Sequence, residues 1–144
     1  MKRFGLLIIL MMGLVHAHAD QSVLGLWQTI DDETGEAKSI VEITERNGRL
    51  YGKVVDLLTK PKDSLCKECK DELHMQPIMG MEILADLEKD GDKYSDGKIL
   101  DPANGKTYRC KLWLEDGKLQ VRGYIGFFFR TQTWSRPAAA TSAN

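Results

Sequence analysis

Short segments of alternating apolar and polar residues run from about residue 24 to residue 136. A period of two residues is typical of a β-strand that buries one face. Turn signals separate the segments, and the clearest are Asn47-Gly48 and Asp116-Gly117, pairs that favour the positive φ angles of tight hairpins. We therefore expect about eight strands, at residues 24–30, 39–43, 50–57, 81–87, 93–100, 106–114, 118–124 and 130–136.

Most of the predicted connections are short, which favours antiparallel pairing of neighbouring strands. Two all-β architectures fit, an up-and-down barrel and a sandwich. The barrel is preferred because a sandwich needs long crossovers. Eight strands that close on themselves leave an interior that holds packed side chains or one small ligand. We predict a single β-barrel domain over residues 20–136 and a disordered tail over residues 137–144.

The first residues follow a different pattern. Lys2 and Arg3 precede an apolar run at residues 4–15, and Ala17-His18-Ala19 places small residues where a signal peptidase cleaves. The alternative, an uncleaved membrane anchor, is disfavoured because a membrane-spanning helix needs roughly 20 apolar residues. We predict a secretory signal peptide at residues 1–19 and a periplasmic or secreted protein, with no membrane span after cleavage.

Export changes the charge and the candidate chemistry. Loss of Lys2 and Arg3 takes the net charge from −1 to about −3, and two of the three histidines leave with the signal peptide. The remaining charges are spread along the chain. This pattern predicts neither a nucleic-acid partner nor a polybasic patch for anionic lipid, and it leaves protein partners undetermined.

Trp27 lies in the first predicted strand, and Arg130 begins the last one. The first and last strands of a closed barrel are neighbours. We therefore expect the guanidinium of Arg130 to stack on the indole of Trp27 and to close one end of the barrel. This is a structural role rather than a catalytic one.

A set of short motifs spans residues 24–136. The motifs are Gly25-Leu26-Trp27, Cys66-x-x-Cys69, Gly80-Met81, Ile99-Leu100-Asp101-Pro102-x-Asn104-Gly105-Lys106-x-Tyr108, Val121-Arg122-Gly123-Tyr124 and Arg130-Thr131-x-Thr133-Trp134. Together they resemble those of a bacterial exported family, domain of unknown function 2147. The first motif, with an arginine near the last strand, is also similar to the end-closing signature of lipocalins and their calycin relatives. The resemblance implies a lipocalin-like barrel and no established reaction.

Three cysteines, Cys66, Cys69 and Cys110, belong to the exported part of the chain. An odd number needs an explanation in an oxidising compartment. Our preferred interpretation is a disulfide between Cys66 and Cys69 in the polar loop, with Cys110 a buried, inert side chain. A bridge from Cys110 to the loop pair, a zinc site that adds His74 to the three cysteines, and a redox role for the loop thiols are the alternatives.

The sequence signals for catalysis are weak. His74 is the single histidine left after signal cleavage, and any Ser–His–Asp or Cys–His arrangement must use it. Asp101 precedes Pro102 and has an ordinary explanation as a turn residue. No glycine-rich phosphate loop occurs. We predict that the protein is not an enzyme and uses no cofactor or metal.

Gly126 is followed by three consecutive phenylalanines. Because successive residues of a strand face opposite sides, at least one of the three rings lies at a barrel opening or on the surface. In one interpretation the segment is a plug that caps the barrel end. In the other the rings join further side chains around a pocket for an apolar ligand. The residues assigned to this pocket are Met79, Met81, Ile83, Tyr108, Phe127, Phe128 and Phe129.

Three functions stay open at this point. The preferred one is an exported lipocalin-like protein that binds a small hydrophobic or amphipathic ligand, such as a lipid or fatty acid, in its barrel. The second is a ligand-free envelope protein whose barrel is solidly packed and whose loops contact a partner. The third is a zinc or redox protein built on the loop cysteines. The volume inside the barrel separates the first two.

Overall fold

The computed structural model describes residues 22–138, which form eight β-strands and a short 3₁₀ turn at Asp71–Leu73. Each strand pairs antiparallel with the next along the chain, so that the sheet order is β1 to β8. The predicted all-β, up-and-down architecture is therefore confirmed. The strands are β1 (Gly25–Ile30), β2 (Ala37–Arg46), β3 (Arg49–Leu57), β4 (Glu82–Asp90), β5 (Lys93–Asp101), β6 (Lys106–Glu115), β7 (Lys118–Ile125) and β8 (Phe128–Trp134).

Two sequence predictions fall wholly or partly outside this range. The signal peptide at residues 1–19 lies outside the described residues, and so do residues 139–144 of the predicted tail. Between residues 22 and 138, no helix has the length and apolar character that crossing a bilayer requires.

The strands curl so that alternate side chains meet in one core. On β2, Ser39, Val41 and Ile43 are buried while the residues between them are partly exposed. Leu112 on β6 and Leu119 on β7 are fully buried on the same inner face. Burial of apolar surface is the main stabilising contribution, at about 25 cal/mol per Å². The alternation along the sequence therefore identifies the inner face.

Irregularities in the strand ladder bend the sheet. The register of β5 shifts between Tyr94 and Gly97, and Asp96 within this bulge has a φ of 59°. Glycine is required at position 97, because a Cβ there would lie 2.3 Å from the Cγ of Leu87. Bulges and close-packed glycines bend a strand sharply, which lets the sheet wrap around a narrow core.

The first and last strands approach each other without a full ladder. Within residues 22–138 they share one isolated bridge, in which the amide of Gln28 donates to the carbonyl oxygen of Ser135 at 2.8 Å. A single backbone hydrogen bond contributes only about 1 kcal/mol net. The closure of the barrel therefore depends on side chains near this bridge.

Arg136 supplies most of that closure. Its guanidinium carbon lies 3.8 Å from the centre of a Trp27 ring. The planar donor fork of arginine suits several acceptors at once. The guanidinium donates to three backbone carbonyl oxygens at 2.7–3.0 Å, those of Ser22, Leu24 and Leu26. Arg136 thus connects the segment after β8 to the start of β1 and the residues that precede it.

Trp27 and Gly25 are the residues of β1 that lie against the Arg136 guanidinium. Trp27 is fully buried, and its Nε1 donates to the carbonyl oxygen of Val23 at 2.8 Å. Gly25 has a φ of 99°, and a Cβ at this position would lie 3.1 Å from Nη1 of Arg136. A side chain at position 25 would be strained and would crowd the guanidinium. This explains why a glycine stands two residues before the tryptophan.

The prediction that Arg130 stacks on Trp27 is wrong. Because β1 and β8 meet in antiparallel orientation, Trp27 near the start of β1 lies beside the end of β8. Arg130 precedes Arg136 by six residues, which is roughly 20 Å along a strand. Nη1 of Arg130 donates instead to Oδ2 of Asp32 at 2.8 Å. The two arginines therefore act at opposite ends of the seam between β1 and β8.

The two ends of the barrel differ in their connections. At the Trp27 end, the turns between β2 and β3, β4 and β5, and β6 and β7 are each two residues long. The other end has longer loops at residues 31–36, 58–81 and 102–105, together with the short turn at residues 126–127. The Trp27 end is therefore closed, and the loop end is where a site has room to form.

Cys110 belongs to the core rather than to the surface. It lies on β6 opposite Gly97 of β5 and Gly123 of β7, and it is 2% exposed. Burial raises the pKa of the Cys110 thiol to about 12, because a thiolate is poorly solvated in an apolar interior. The side chain is free, so it stays protonated at neutral pH and is a poor nucleophile.

Replacement of Arg136 by lysine tests the closure. Lysine keeps the charge but loses the planar fork and the stacking on Trp27, so Arg136→Lys should lower the free energy of unfolding by about 2–3 kcal/mol. Urea denaturation followed by tryptophan fluorescence measures the change. The matched control is Arg130→Lys, whose exposed ion pair with Asp32 contributes little. Equal effects of the two substitutions would contradict the assignment.

The cysteines can be tested by thiol labelling. At mildly alkaline pH the native protein should not react with Ellman's reagent, because the raised pKa keeps Cys110 protonated and burial blocks access. Unfolding without reductant should expose one thiol per chain, and reduction should add the two of the Cys66–Cys69 disulfide. Rapid labelling of the native protein, or three thiols before reduction, would refute this account.

Candidate functional site

The loop end of the barrel contains a cavity of about 410 Å³. Pockets for small molecules span about 300–1,000 Å³, so one ligand of modest size fits. Trp134 is 1% exposed and belongs to the wall. All eight strands contribute to the lining, through Thr29, Ser39, Val54, Ile83, Ile99, Tyr108, Val121 and Gln132.

The polar groups inside this wall are already paired. The hydroxyl oxygens of Thr29 and Ser39 are 2.7 Å apart, and Nε1 of Trp134 donates to Oε1 of Gln132 at 2.8 Å. Throughout residues 22–138, every buried side-chain nitrogen or oxygen has a hydrogen-bond partner. Since the buried polar groups of the wall are already paired, the inner part of the cavity suits the apolar part of a ligand.

The mouth of the cavity is polar. Arg130 and Asp32 form an ion pair there, and the carboxylate raises the pKa of the Arg130 guanidinium. Nδ2 of Asn104 donates to the hydroxyl of Tyr108 at 3.0 Å, and the exposed Lys60 belongs to the same rim. An apolar interior with a polar, charged rim matches a molecule that has one apolar and one polar end.

A disulfide loop packs beside this mouth. Cys66 and Cys69 are bonded to each other and buried, as the preferred interpretation of the cysteines predicted. The Sγ of Cys66 lies 3.6 Å from the carbonyl oxygen of Pro102, in the turn between β5 and β6. In the same turn Gly105 has a φ of 69°, and a Cβ there would lie 1.8 Å from the carbonyl oxygen of Glu68. The glycine lets loop and turn touch, so this part of the rim is held in place without a ligand.

The structure brings together four of the seven residues predicted for the pocket. The other three lie elsewhere: Met81 is buried in the core, Met79 packs against the core, and Phe127 is fully exposed. Met79 and Met81 precede β4 in the turn that leads into it, and the turn between β7 and β8 presents Phe127. The predicted residues that do line the cavity are Ile83, Tyr108, Phe128 and Phe129.

The plug interpretation of the three phenylalanines is wrong. Phe127, Phe128 and Phe129 are 102%, 80% and 59% exposed. They occupy the short turn between β7 and β8 and the start of β8. Because the strands continue to the tip of this hairpin, the phenylalanine segment does not fold across the barrel opening.

Several lining residues were missed by the sequence reasoning. Thr29, Ser39, Val54 and Val121 all lie on inner faces that the alternation identifies. The missing information is which half of each strand faces the open end. The open end is the one at which the long loops lie, and the alternation within a single strand does not show which end that is.

The zinc set of the alternative interpretation is not assembled. Cys66 and Cys69 are joined in a disulfide, so their sulfur atoms are not thiolates, and Cys110 lies in the core. Nδ1 of His74 is 3.0 Å from the carbonyl oxygen of Cys69. In the part of the chain that the structure describes, no three histidine, cysteine or carboxylate side chains gather in a way that could hold a metal ion.

Comparisons with known proteins agree with this geometry. A family model described as "Uncharacterized protein conserved in bacteria (DUF2147)" matches residues 25–136. A solved structure of protein HP1028 from the human pathogen Helicobacter pylori, which belongs to the lipocalin family, is similar with a TM-score of 0.72 and 25% sequence identity, over 82% of this chain and 84% of that one. No match is found among curated proteins. The chain therefore belongs to the DUF2147 family of bacterial proteins, and its fold is lipocalin-like.

Proposed function

We propose that this protein binds a small hydrophobic or amphipathic molecule inside its barrel. The apolar part of the molecule occupies the cavity, and its polar end lies at the mouth. The observation that carries the proposal is the cavity of about 410 Å³, whose buried polar groups are all paired. A close-packed interior, which the ligand-free alternative requires, leaves only voids near the size of a water molecule.

The class of ligand follows from the shape of the site. A lipid or fatty acid has a narrow apolar chain and one polar end, which matches the apolar wall and the rim that contains Lys60 and Arg130. Likeness to a lipocalin supports this choice, because eight-stranded barrels of that kind hold one small ligand.

We also propose that the protein acts outside the cytoplasm. Lys2, Arg3 and the apolar run at residues 4–15 support export. The Cys66–Cys69 disulfide supports it as well, because such bonds persist mainly in oxidising compartments.

Binding rather than catalysis is the proposed activity. The Cys110 thiol is buried with a raised pKa, and His74 contacts a backbone carbonyl in the disulfide loop. Neither residue lines the cavity, so neither is placed to act on a bound molecule as nucleophile or base.

A fluorescent fatty acid tests the proposal. Titration of cis-parinaric acid should give saturable fluorescence enhancement with one site per chain. Val121 is 3% exposed and lines the cavity, so Val121→Trp places an indole in the ligand's space. The substitution should weaken binding by about tenfold or more, which corresponds to the lost burial of a few methylene groups.

The matched control is Lys118→Trp, which adds the same side chain at an exposed position of β7. This variant should bind the fatty acid like the wild type, and both variants should keep the far-ultraviolet circular dichroism of the parent. Absence of saturable binding, or equal losses in the two variants, would reject the proposal in favour of a protein without a ligand.

A further inference from the structure

The tip of the β7–β8 hairpin exposes an unusual amount of apolar surface. Ile125, Phe127, Phe128 and Phe129 are each more than half exposed, and Phe127 is fully so. Gly126 has a φ of 57°, which allows the two-residue turn that presents Phe127 at the tip. Contiguous exposed apolar residues on a soluble protein mark an interaction site more often than not.

The outer face of β5–β8 is rich in unpaired positive charge. Lys98 lies opposite Arg109, and Lys111 lies opposite Arg122 in the strand register. The residues between them along the strands, such as Cys110, are buried, so these four side chains are on the outside. Like charges directly across a strand pair are destabilising. Within residues 22–138, none of the four cations forms an ion pair.

The outer face of β2–β4 has the opposite arrangement. Three of its cations are matched by carboxylates across the strands, and among these Arg46 pairs with Glu82 and Lys53 pairs with Glu42. Arg49 pairs with carboxylates of β4 as well. Most of the positive charge on the outer face of β2–β4 is therefore neutralised by nearby carboxylates. The other side leaves its positive charge for a partner, although the net charge of the chain is negative.

Aromatic rings are interleaved with these cations. The Arg122 guanidinium lies between the rings of Trp113 and Phe129, at 4.9 and 4.2 Å from their centroids. The Lys93 ammonium lies 4.8 Å from the Trp113 ring, and Tyr124 packs against Phe129 with centroids 6.1 Å apart. Aromatic residues beside lysine and arginine are typical of surfaces that meet the interface of a bilayer.

We propose that this surface, the outer face of β5–β8 with the tip of the β7–β8 hairpin, binds the surface of an anionic phospholipid bilayer. Lys98, Arg109, Lys111 and Arg122 attract the headgroups, and Phe127 enters the interface. A bilayer is favoured over a nucleic acid or a folded protein because the apolar tip projects beyond the charged face, where a bilayer offers an apolar layer beneath its charge. Phe128 and Phe129 belong to both this surface and the cavity rim, so docking turns the mouth toward the lipid.

Vesicle flotation tests the proposal on the exported chain. The wild type should float with vesicles of phosphatidylcholine and phosphatidylglycerol in equal parts. With vesicles of phosphatidylcholine alone, it should remain in the bottom fraction. Added salt should weaken the binding, since exposed charges are screened. The double reversal Lys98→Glu with Lys111→Glu should weaken vesicle binding by about 25-fold or more, because each basic charge removed contributes about fivefold. Phe127→Ser should weaken it by about tenfold.

Matched controls use the other parts of the barrel. Lys53→Glu makes the same charge change on the outer face of β2–β4. Leu26→Ser removes an exposed apolar side chain on β1. Both should float like the wild type. Val121→Trp should also float, because docking on the bilayer does not require a ligand in the cavity. A failure of ligand binding can therefore be distinguished from a failure of docking.

Several results would overturn the proposal. These are equal flotation with neutral vesicles, no flotation with either kind, and test variants that float like the wild type. Self-association that disappears in Phe127→Ser, without vesicle binding, would assign the tip to a second copy of the chain. Binding of an oligonucleotide by the cationic face, again without vesicle binding, would assign that face to nucleic acid.

Discussion

The contact between Arg136 and Trp27 is the constraint on which the rest of the barrel depends. In the described part of the chain, one backbone bridge joins Gln28 of β1 to Ser135, directly after β8, so backbone pairing alone would leave the sheet open along this seam. The guanidinium lies on the buried indole and binds three carbonyl oxygens of the segment leading into β1. It thereby provides several hydrogen bonds and a cation–π contact where two strands diverge. Gly25 allows this approach because it carries no side chain.

Closure at one end allows the other end to stay open. The tightly turned Trp27 end packs leucine and tryptophan side chains into a buried core, which supplies the apolar burial that stabilises the fold. The opposite end then needs less packing, and the cavity of about 410 Å³ lies there. The contact between the Cys66–Cys69 loop and the Gly105 turn fixes part of its rim. Stability and the proposed binding thus depend on different halves of the same eight strands.

The strands and turns were predictable because their signals are local. Period-two alternation located all eight strands to within a few residues, and Asn47-Gly48 adopts the positive φ angles that its turn requires. The Cys66–Cys69 pair is equally local. Arg136 was missed because choosing it over Arg130 requires the direction in which β8 passes β1, a relation between the two ends of the chain. The cationic face was missed because its residues are scattered along the sequence and meet only through the strand register.

The central claim is that the barrel holds an amphipathic molecule, and the mass of the protein isolated from its native source tests this claim most directly. Native mass spectrometry of material purified without added lipid should show the protein with one bound species of lipid or fatty-acid mass. That species should be lost on gentle activation. A spectrum of the bare chain alone, from material never exposed to detergent or organic solvent, would contradict the account. A bound mass equal to a zinc ion would do so as well.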